Sequence, residues 1–494
     1  MPPVATVWAA AERTSADRPR VAIVGGGLAG MAAAAALVGT DACVELFESR
    51  ARFGGRATSF RDPETGELVD FCQHVSMGCC TNLADLVRRA GLDGLFKPAD
   101  RLTFIAPDGR QCDFAASRWL PAPLHLALGL GRLVYLDAND RRAIARAMWR
   151  LMRRPIVDGG SCPTALEWLR AQGQTARAID WFWGVVLVSA LGESLERVSM
   201  AAARKVFVDG FLAARDAHVV QTPQLPLGEI FGRRLPAWLE SQGASLRLGA
   251  TIRAIDRDAR GRFELAGLDK RAAAHDHAAP YDCVILATTW RQVESLLPEA
   301  WRAKAPWLAA ARGWPSAPIT GVHLWFDRPI TDLEHAVLVG RLGQWLFNRG
   351  ALAGDLSAAG AAQEFYYQVV ISASRDLAGR DRQAIVDELV GELAEIWPAA
   401  RQARLLRARV VTEQMAVFSV APGCDAWRPP QRTEIEGLAL AGDWTATGWP
   451  ATMEGAVRSG YLAAEAVMAS LGRPRRFLAP DLERAPLAKL LIRD

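Results

Sequence analysis

The chain has 494 residues, half of them hydrophobic and 23% charged, which describes an ordered globular protein too long for one compact core and excludes a disordered one. Its 58 basic and 54 acidic side chains leave a net charge of only +4, no footprint for nucleic acid. The 8 cysteines form no C-x-x-C pair, and the adjacent Cys79 and Cys80 match no zinc spacing, so no metal site is expected. With no secretory signal, a reduced cytoplasmic setting is the expectation.

Residues 1–19 read as a flexible N-terminal tail. A short apolar strand at 21–24 runs into Gly25-Gly26-Gly27-Leu28-Ala29-Gly30, and the Ala-rich stretch 31–38 favours a helix. Residues 43–47 alternate as a second strand that ends at Glu48, completing a β-α-β unit. The region 106–224 is largely helical and rich in tryptophan. No stretch is long and apolar enough to span a bilayer; the nearest, 120–136, contains Pro121, Pro123, His125 and Arg132. It either lies against a membrane, walls an apolar cavity or forms an ordinary buried helix. The stretch 146–154 interleaves arginines with Met148, Trp149 and Leu151, suiting either anionic headgroups or a solvated helix face.

Further on, 245–265 is strand-rich with a turn at 258–261 and leads to a buried strand at 281–288. Residues 300–405 mix strands at 322–326 and 365–371 with a helix at 382–397. A third short strand at 438–443 precedes a helix from 453 to 470, and the Pro- and Arg-rich tail closes on an apolar docking segment at 487–492.

The glycine loop carries the first functional signal. Gly25-x-Gly27-x-x-Gly30 follows a strand, opens a helix, and is followed by an acid, Glu48, 18 residues beyond the last glycine. The first glycine permits the turn, the second lets backbone approach a pyrophosphate, and the third lets helix and strand pack closely. The phosphates then meet the free N–H groups and positive end of the helix, here at Leu28 and Ala29. Glu48 would accept from the adenosine ribose and disfavour a 2′-phosphate. Ser49, Arg50 and Gly54-Gly55-Arg56 follow at once. Two glycines expose N–H groups and Arg56 can form a charge-assisted bond to phosphate, which points to FAD rather than NAD.

That stretch resembles the second FAD signature of the amine oxidase and carotenoid desaturase superfamily, and Gly442-Asp443 with Met453-Glu454-Gly455-Ala456 is similar to its closing flavin motif. The resemblance implies Asp443 near the ribityl-pyrophosphate. It places the N–H groups at the start of the 453 helix on the flavin N1/O2 edge, where reduced flavin carries negative charge. It also puts Ile252, in a strand starting at Thr251, against the adenine. The implied fold class is α/β with an α+β substrate domain: a Rossmann-like FAD-binding domain from 20–105, 225–299 and 406–475, an interleaved cap from 106–224 and 300–405, and a tail at 476–494.

A finer resemblance is to the squalene-associated FAD-dependent desaturases, better described as hydroxysqualene dehydroxylases of hopanoid synthesis. It is carried by Gly55 to Phe60, Gln73-His74-Val75 with Gly78, and Leu120 to His125. Val322 to Pro329, Gln344 to Arg349 and above all Gly442 to Ala456 continue it, so the motifs span about 20 to 470. Two positions depart: Cys72 stands where the family has glycine, and Gln414-Met415 where a basic residue is common. The resemblance implies reduction of hydroxysqualene to squalene, the allylic hydroxyl leaving with a proton while reduced flavin gives hydride. It also implies peripheral contact with the cytoplasmic face of the membrane and functional association with squalene-synthase-like enzymes; the oligomeric state stays open.

Such a substrate offers only its hydroxyl for hydrogen bonding, so an apolar tunnel must hold it, at roughly 0.8 kcal/mol per buried CH₂. The tryptophan-rich region and the 325–326 and 345–347 aromatics suit that lining. His74 is the first candidate for the proton donor, with a backbone-bonded structural histidine as the alternative. Asp70 reads equally as a strand-end carboxylate, and His125 and His323 read as packed or solvated. The rival enzyme is a phytoene-type desaturase running the flavin in the opposite direction. An amine oxidase would need polar amine recognition and an aromatic cage that are not legible here, and a non-redox prenyl-binding escort would have no use for the flavin motifs.

Overall fold

In the computed structural model, residues 18–159, 161–267, 279–353 and 364–493 are described, so most of the expected N-terminal tail lies outside the described residues. The nucleus is a five-stranded parallel sheet in the order Ser245–Leu248, Cys43–Glu48, Arg20–Val24, Cys283–Leu286, Leu438–Leu440. Its central strands are buried on both faces: Val21, Ile23, Leu46 and Ile285 pack with the helices Leu28–Leu37 and Met453–Ser470, and Ala22, Val24, Phe47 and Val284 fall in the cluster of Ile255, Phe263 and Tyr281.

The helix Leu28–Leu37 begins directly after Gly27 rather than at 31 and is buried throughout. Its alanines let Met453–Ser470 come very close: a Cβ on Gly460 would stand 2.2 Å from the Ala29 carbonyl oxygen. The expected strand at 281–288 contracts to Cys283–Leu286, and Tyr281 instead forms a bridge with Phe263. The expected strand at Thr251 is instead a connection, and the next strand is Ala254–Arg257, paired with Phe263–Ala266 around the turn at Gly261.

A second, seven-stranded sheet has the order Leu405–Phe418, Ser316–Phe326, Phe365–Ile371, Trp345–Asn348, His335–Leu338, Arg101–Ile105, Gln111–Ala115. The boundary expected at 405/406 falls inside the strand Leu405–Phe418, and the one at 105/106 falls at the end of Arg101–Ile105, which pairs with His335–Leu338 in this sheet. Hydropathy alone does not assign a short apolar strand to one of two sheets.

The helical region contains Ala138–Arg153, Gly184–Leu191 and Met200–Phe207, with π-helical turns at Ile179–Trp183 and Val208–Leu212. Trp183 is fully buried there and donates to Gln174 Oε1 at 2.8 Å. The 120–136 run resolves into a 3₁₀ turn, Leu124–Leu126, and a short helix, Ala127–Arg132; no helix among the described residues is long and apolar enough to cross a membrane. The terminal helix Pro486–Leu491 packs Ala488 and Ile492 against Met152, Val208 and Leu212.

Candidate active site

The glycine loop and Glu48 form one hydrogen-bonded unit. Glu48, buried at the end of its strand, accepts from Gly26 N–H and from Arg50 N–H, each at 2.8 Å. Ser49 Oγ also reaches it at 3.3 Å; Ser49 and Arg50 are both exposed, and Arg50 contributes its backbone N–H here. Gly54 N–H donates to the Gly26 carbonyl, which draws the second glycine pair onto the first loop.

The glycines are required for different reasons. A Cβ on Gly30 would fall 1.9 Å from the Gly25 carbonyl oxygen, and one on Gly25, at φ +116°, 2.4 Å from that of Ala287. Gly26 lies outside the fixed glycines of the G-x-G-x-x-G pattern, yet its Cβ would meet the Phe53 ring at 2.6 Å. Gly27 differs: it is extended, and its nearest neighbour would be Gly55 Cα at 3.8 Å. No protein atom forbids a side chain there, so the open cradle above Gly27 fits a pyrophosphate laid on the backbone.

The C-terminal motif closes against this cradle. Asp443 is buried, accepts from Arg56 Nη2 at 2.6 Å, and its carbonyl accepts from Arg428 at 2.9 Å. Burial opposes the charge on Arg56, but Asp443 more than offsets it and raises its pKa. Arg56 also donates to the Ala416 carbonyl, so the Gln414-Met415 departure lies beside this pair. Gly442, at φ +147°, would drive a Cβ to 2.4 Å from Trp444 Nε1.

At the start of the 453 helix, Thr452 takes the Gly455 N–H on its hydroxyl and the Ala456 N–H on its carbonyl. Met453 and Glu454 then keep backbone N–H groups without a partner among the described residues, at the positive end of an 18-residue helix. The Glu454 side chain turns away to accept from Leu83 N–H at 2.8 Å and from Asn82, so only its backbone faces the cradle. Ile252 is buried just past Ala250, whose N–H donates to the Glu48 carbonyl. Open backbone at Gly27, a carboxylate at Glu48 and free helix N–H groups suit the adenosine, pyrophosphate and flavin ends of FAD.

Next to Arg56 lies a polar cluster. His74 is half-buried, and its Nδ1 donates to the Cys72 carbonyl at 2.9 Å, leaving Nε2 as an acceptor in the neutral ring. Burial lowers its pKa, with Arg56 acting in the same direction and Asp70 against it. Gln73 donates to the His74 carbonyl and accepts from Arg349 Nη1 at 2.7 Å. Arg349 is only 7% exposed and also donates to the Pro223 carbonyl at 3.0 Å; its Nε and Nη2 have no hydrogen-bond partner among the described residues. Asp70 accepts from Ser59 at 2.5 Å and Leu227 N–H at 2.7 Å, which ties it to the start of a helix. Burial pushes the Cys72 thiol up to about 12, so the cysteine that replaces glycine is inert.

Against the cluster sits apolar surface. Cys72 packs with Phe347, Leu352 and Val370, and the half-buried Val75, Ile319 and Trp345 join them. Trp345 Nε1 donates to Ser189 Oγ at 3.0 Å, bringing in the apolar helix Gly184–Leu191, whose Val185 and Val186 are also only half-buried. Arg349 was not singled out from the sequence, although it stands in the Gln344 to Arg349 motif; its burial was the missing signal. Elsewhere, Asp158, Cys424 and Asp425 come together, with Asp158 accepting from Gly423 and Asp425 N–H and thereby fastening that turn.

His323 and His125 are packed rather than catalytic. His323 bonds Tyr366 at 2.8 Å, and burial depresses His323 to about 3 and His125 to about 4. Their unfolded forms titrate near the ordinary 6.5. Below that pH the unfolded chain binds protons that the native state refuses, so stability falls as pH drops toward 4. Between about pH 6.5 and 4.5 each histidine should cost on the order of 2 kcal/mol. Thermal melts across that window should show Tm declining, and His125→Phe should flatten part of the decline.

Comparison with known proteins places the chain. The profile of the family described as flavin containing amine oxidoreductase matches residues 28–468. The chain is 27% identical to the 15-cis-phytoene desaturase of Solanum lycopersicum, over 91% of this chain and 77% of that protein. It is 26% identical to the zeta-carotene desaturase of Synechocystis, over 92% and 98%. Among solved structures, cyclohexylamine oxidase from Brevibacterium oxydans superposes with a TM-score of 0.65 at 17% identity, covering 92% of this chain and all of that one. An oxidoreductase from Methanosarcina mazei gives 0.66 at 16%, covering 91% and all of that chain. These superpositions establish the fold.

Proposed function

This chain belongs to the flavin containing amine oxidoreductase family and is an FAD-dependent oxidoreductase, and on that premise we propose that it reduces hydroxysqualene to squalene. The observation that carries the reading is the pairing of a buried, incompletely bonded guanidinium at Arg349 with an otherwise apolar lining. A long isoprenoid with a single oxygen satisfies both. FAD is held by Gly25, Gly27, Gly30, Glu48, Gly54, Gly55, Arg56, Ile252, Gly442, Asp443 and the N–H groups of Met453 and Glu454. Bound flavin supplies two-electron exchange with carbon.

The chain's own side chains do the rest. Val75, Ile319 and Trp345 exclude water along the hydrocarbon. Arg349 orients the hydroxyl with its free N–H groups. Protonated His74 gives its proton to the departing hydroxyl, and its depressed pKa makes it the stronger acid once charged. Since the neutral ring presents only an acceptor, turnover should rise as pH falls below the ordinary histidine range. His74→Ala should retain FAD, slow flavin oxidation by hydroxysqualene roughly 100-fold and flatten that pH dependence. An unchanged rate and profile would remove His74 from the reaction.

The second reading is a phytoene-type desaturase, favoured by the 25–27% identity to such enzymes over most of the chain. It would use the same lining for a hydrocarbon without oxygen and leave Arg349 bonded only to Gln73 and Pro223, with no partner on the substrate.

A further inference from the structure

We propose that the face bearing Trp119, Leu124 and Leu128 docks on an anionic lipid bilayer and is where the apolar substrate enters; its second half rests on the substrate class proposed above. Trp119 is 92% exposed, Leu128 54% and Leu124 43%, a concentration of large apolar side chains in solvent within one short segment. From 114 to 136 the only charged residues are Arg118 and Arg132, both exposed; the flanking Asp113 and Asp137 are each paired with an arginine, and Arg215 stands beside the exposed Asp216, so basic side chains outnumber acidic ones around the apolar tips. That composition suits the headgroup and acyl boundary of an anionic leaflet.

The segment is held in place rather than loose. Arg215 donates to the Ser117 and Leu120 carbonyls, and Ser117 N–H donates to the His125 carbonyl at 2.7 Å, with His125 fully buried beneath. The 3₁₀ turn Leu124–Leu126 packs on the π-helical turn Val208–Leu212. From there a column of rings leads inward. Phe211 lies 6.0 Å from Phe207, which stacks on Phe182 at 6.1 Å, and Phe182 precedes the Val185 and Val186 surface beside Trp345. The basic helix Ala138–Arg153 joins the same hub: Met148 and Phe211 both pack against the cluster of Met152, Val208 and Leu212, and Arg153 lies over the half-exposed Trp149 ring. It therefore flanks the docking face, which joins the two membrane candidates of the sequence, 120–136 and 146–154.

The test is co-sedimentation of FAD-loaded protein with vesicles of phosphatidylcholine and phosphatidylglycerol at low salt, against pure phosphatidylcholine. Wild type should pellet with the anionic vesicles. A variant carrying Trp119→Ser, Leu124→Ser and Leu128→Ser should bind on the order of ten-fold more weakly with unchanged flavin content. Equal binding by the variant, or none by wild type, would overturn the docking face. Sedimentation velocity without lipid separates another occupant: a dimer dissolved by the triple variant would assign the face to a second copy and contradict the proposal. The vesicles hold no substrate, so binding by a protein that ignores hydroxysqualene would sustain docking while refuting that substrate. Turnover of detergent-dispersed hydroxysqualene without vesicle binding would do the reverse.

Discussion

Gly27→Ala is expected to strip FAD from the protein, weakening its binding on the order of 100-fold, while the apo fold melts no lower than wild type. The residue is extended, with φ −79° and ψ 179°, and the added Cβ meets nothing closer than Gly55 Cα at 3.8 Å. Replacing a glycine at a conformation open to alanine even favours the folded state, by about 0.4–1 kcal/mol, because the unfolded chain loses freedom. The cost falls wholly on the ligand, whose pyrophosphate must approach the backbone where the methyl now stands. Gly30→Ala is the contrast: its Cβ would sit 1.9 Å from a carbonyl oxygen, so helix and strand must part and stability falls with or without flavin. Flavin absorbance of the purified protein and the melting temperature of the apo form separate the two outcomes.

Arg349→Met should lower kcat/KM for hydroxysqualene by roughly 10- to 100-fold, the loss of one or two charge-assisted hydrogen bonds to a buried oxygen. Methionine keeps the apolar stem and volume while removing the guanidinium that reaches Gln73 and Pro223. FAD content should not change, because the FAD contacts proposed for this chain do not involve Arg349. Arg349→Lys keeps the charge without the planar fork and should fall between the two. If the natural substrate were a pure hydrocarbon, the guanidinium would have no substrate oxygen to bond and its removal would leave turnover equal or faster. The direction of the Arg349→Met effect thus distinguishes the two readings of the substrate.

Much of the cradle was legible because its glycines, acid and flanking elements are local in sequence: one strand, one turn and one helix define it. The same holds for the 453 helix, whose bounds of 453 and 470 agree with the structure. Less legible were features settled between distant segments. Glu454 reads as part of a flavin motif, yet its carboxylate serves Asn82 and Leu83, far away in sequence. Arg56 reads as a phosphate ligand and in the structure engages Asp443, 387 positions on. A strand carries no local mark of which of two sheets it joins, so Arg101–Ile105 reads with the first sheet although it pairs in the second, and the boundary expected at 405/406 cuts the strand Leu405–Phe418. Arg349 escaped notice because a guanidinium is ordinarily solvated, and only tertiary packing shows it buried.

The direct test of the substrate reading is anaerobic mixing of the photoreduced, FAD-loaded protein with hydroxysqualene, following flavin absorbance and extracting the lipid. Reoxidation of the flavin with stoichiometric formation of squalene is the expected result. Flavin that stays reduced with hydroxysqualene, while the oxidised protein is bleached by phytoene, would contradict it and assign the chain to the desaturases.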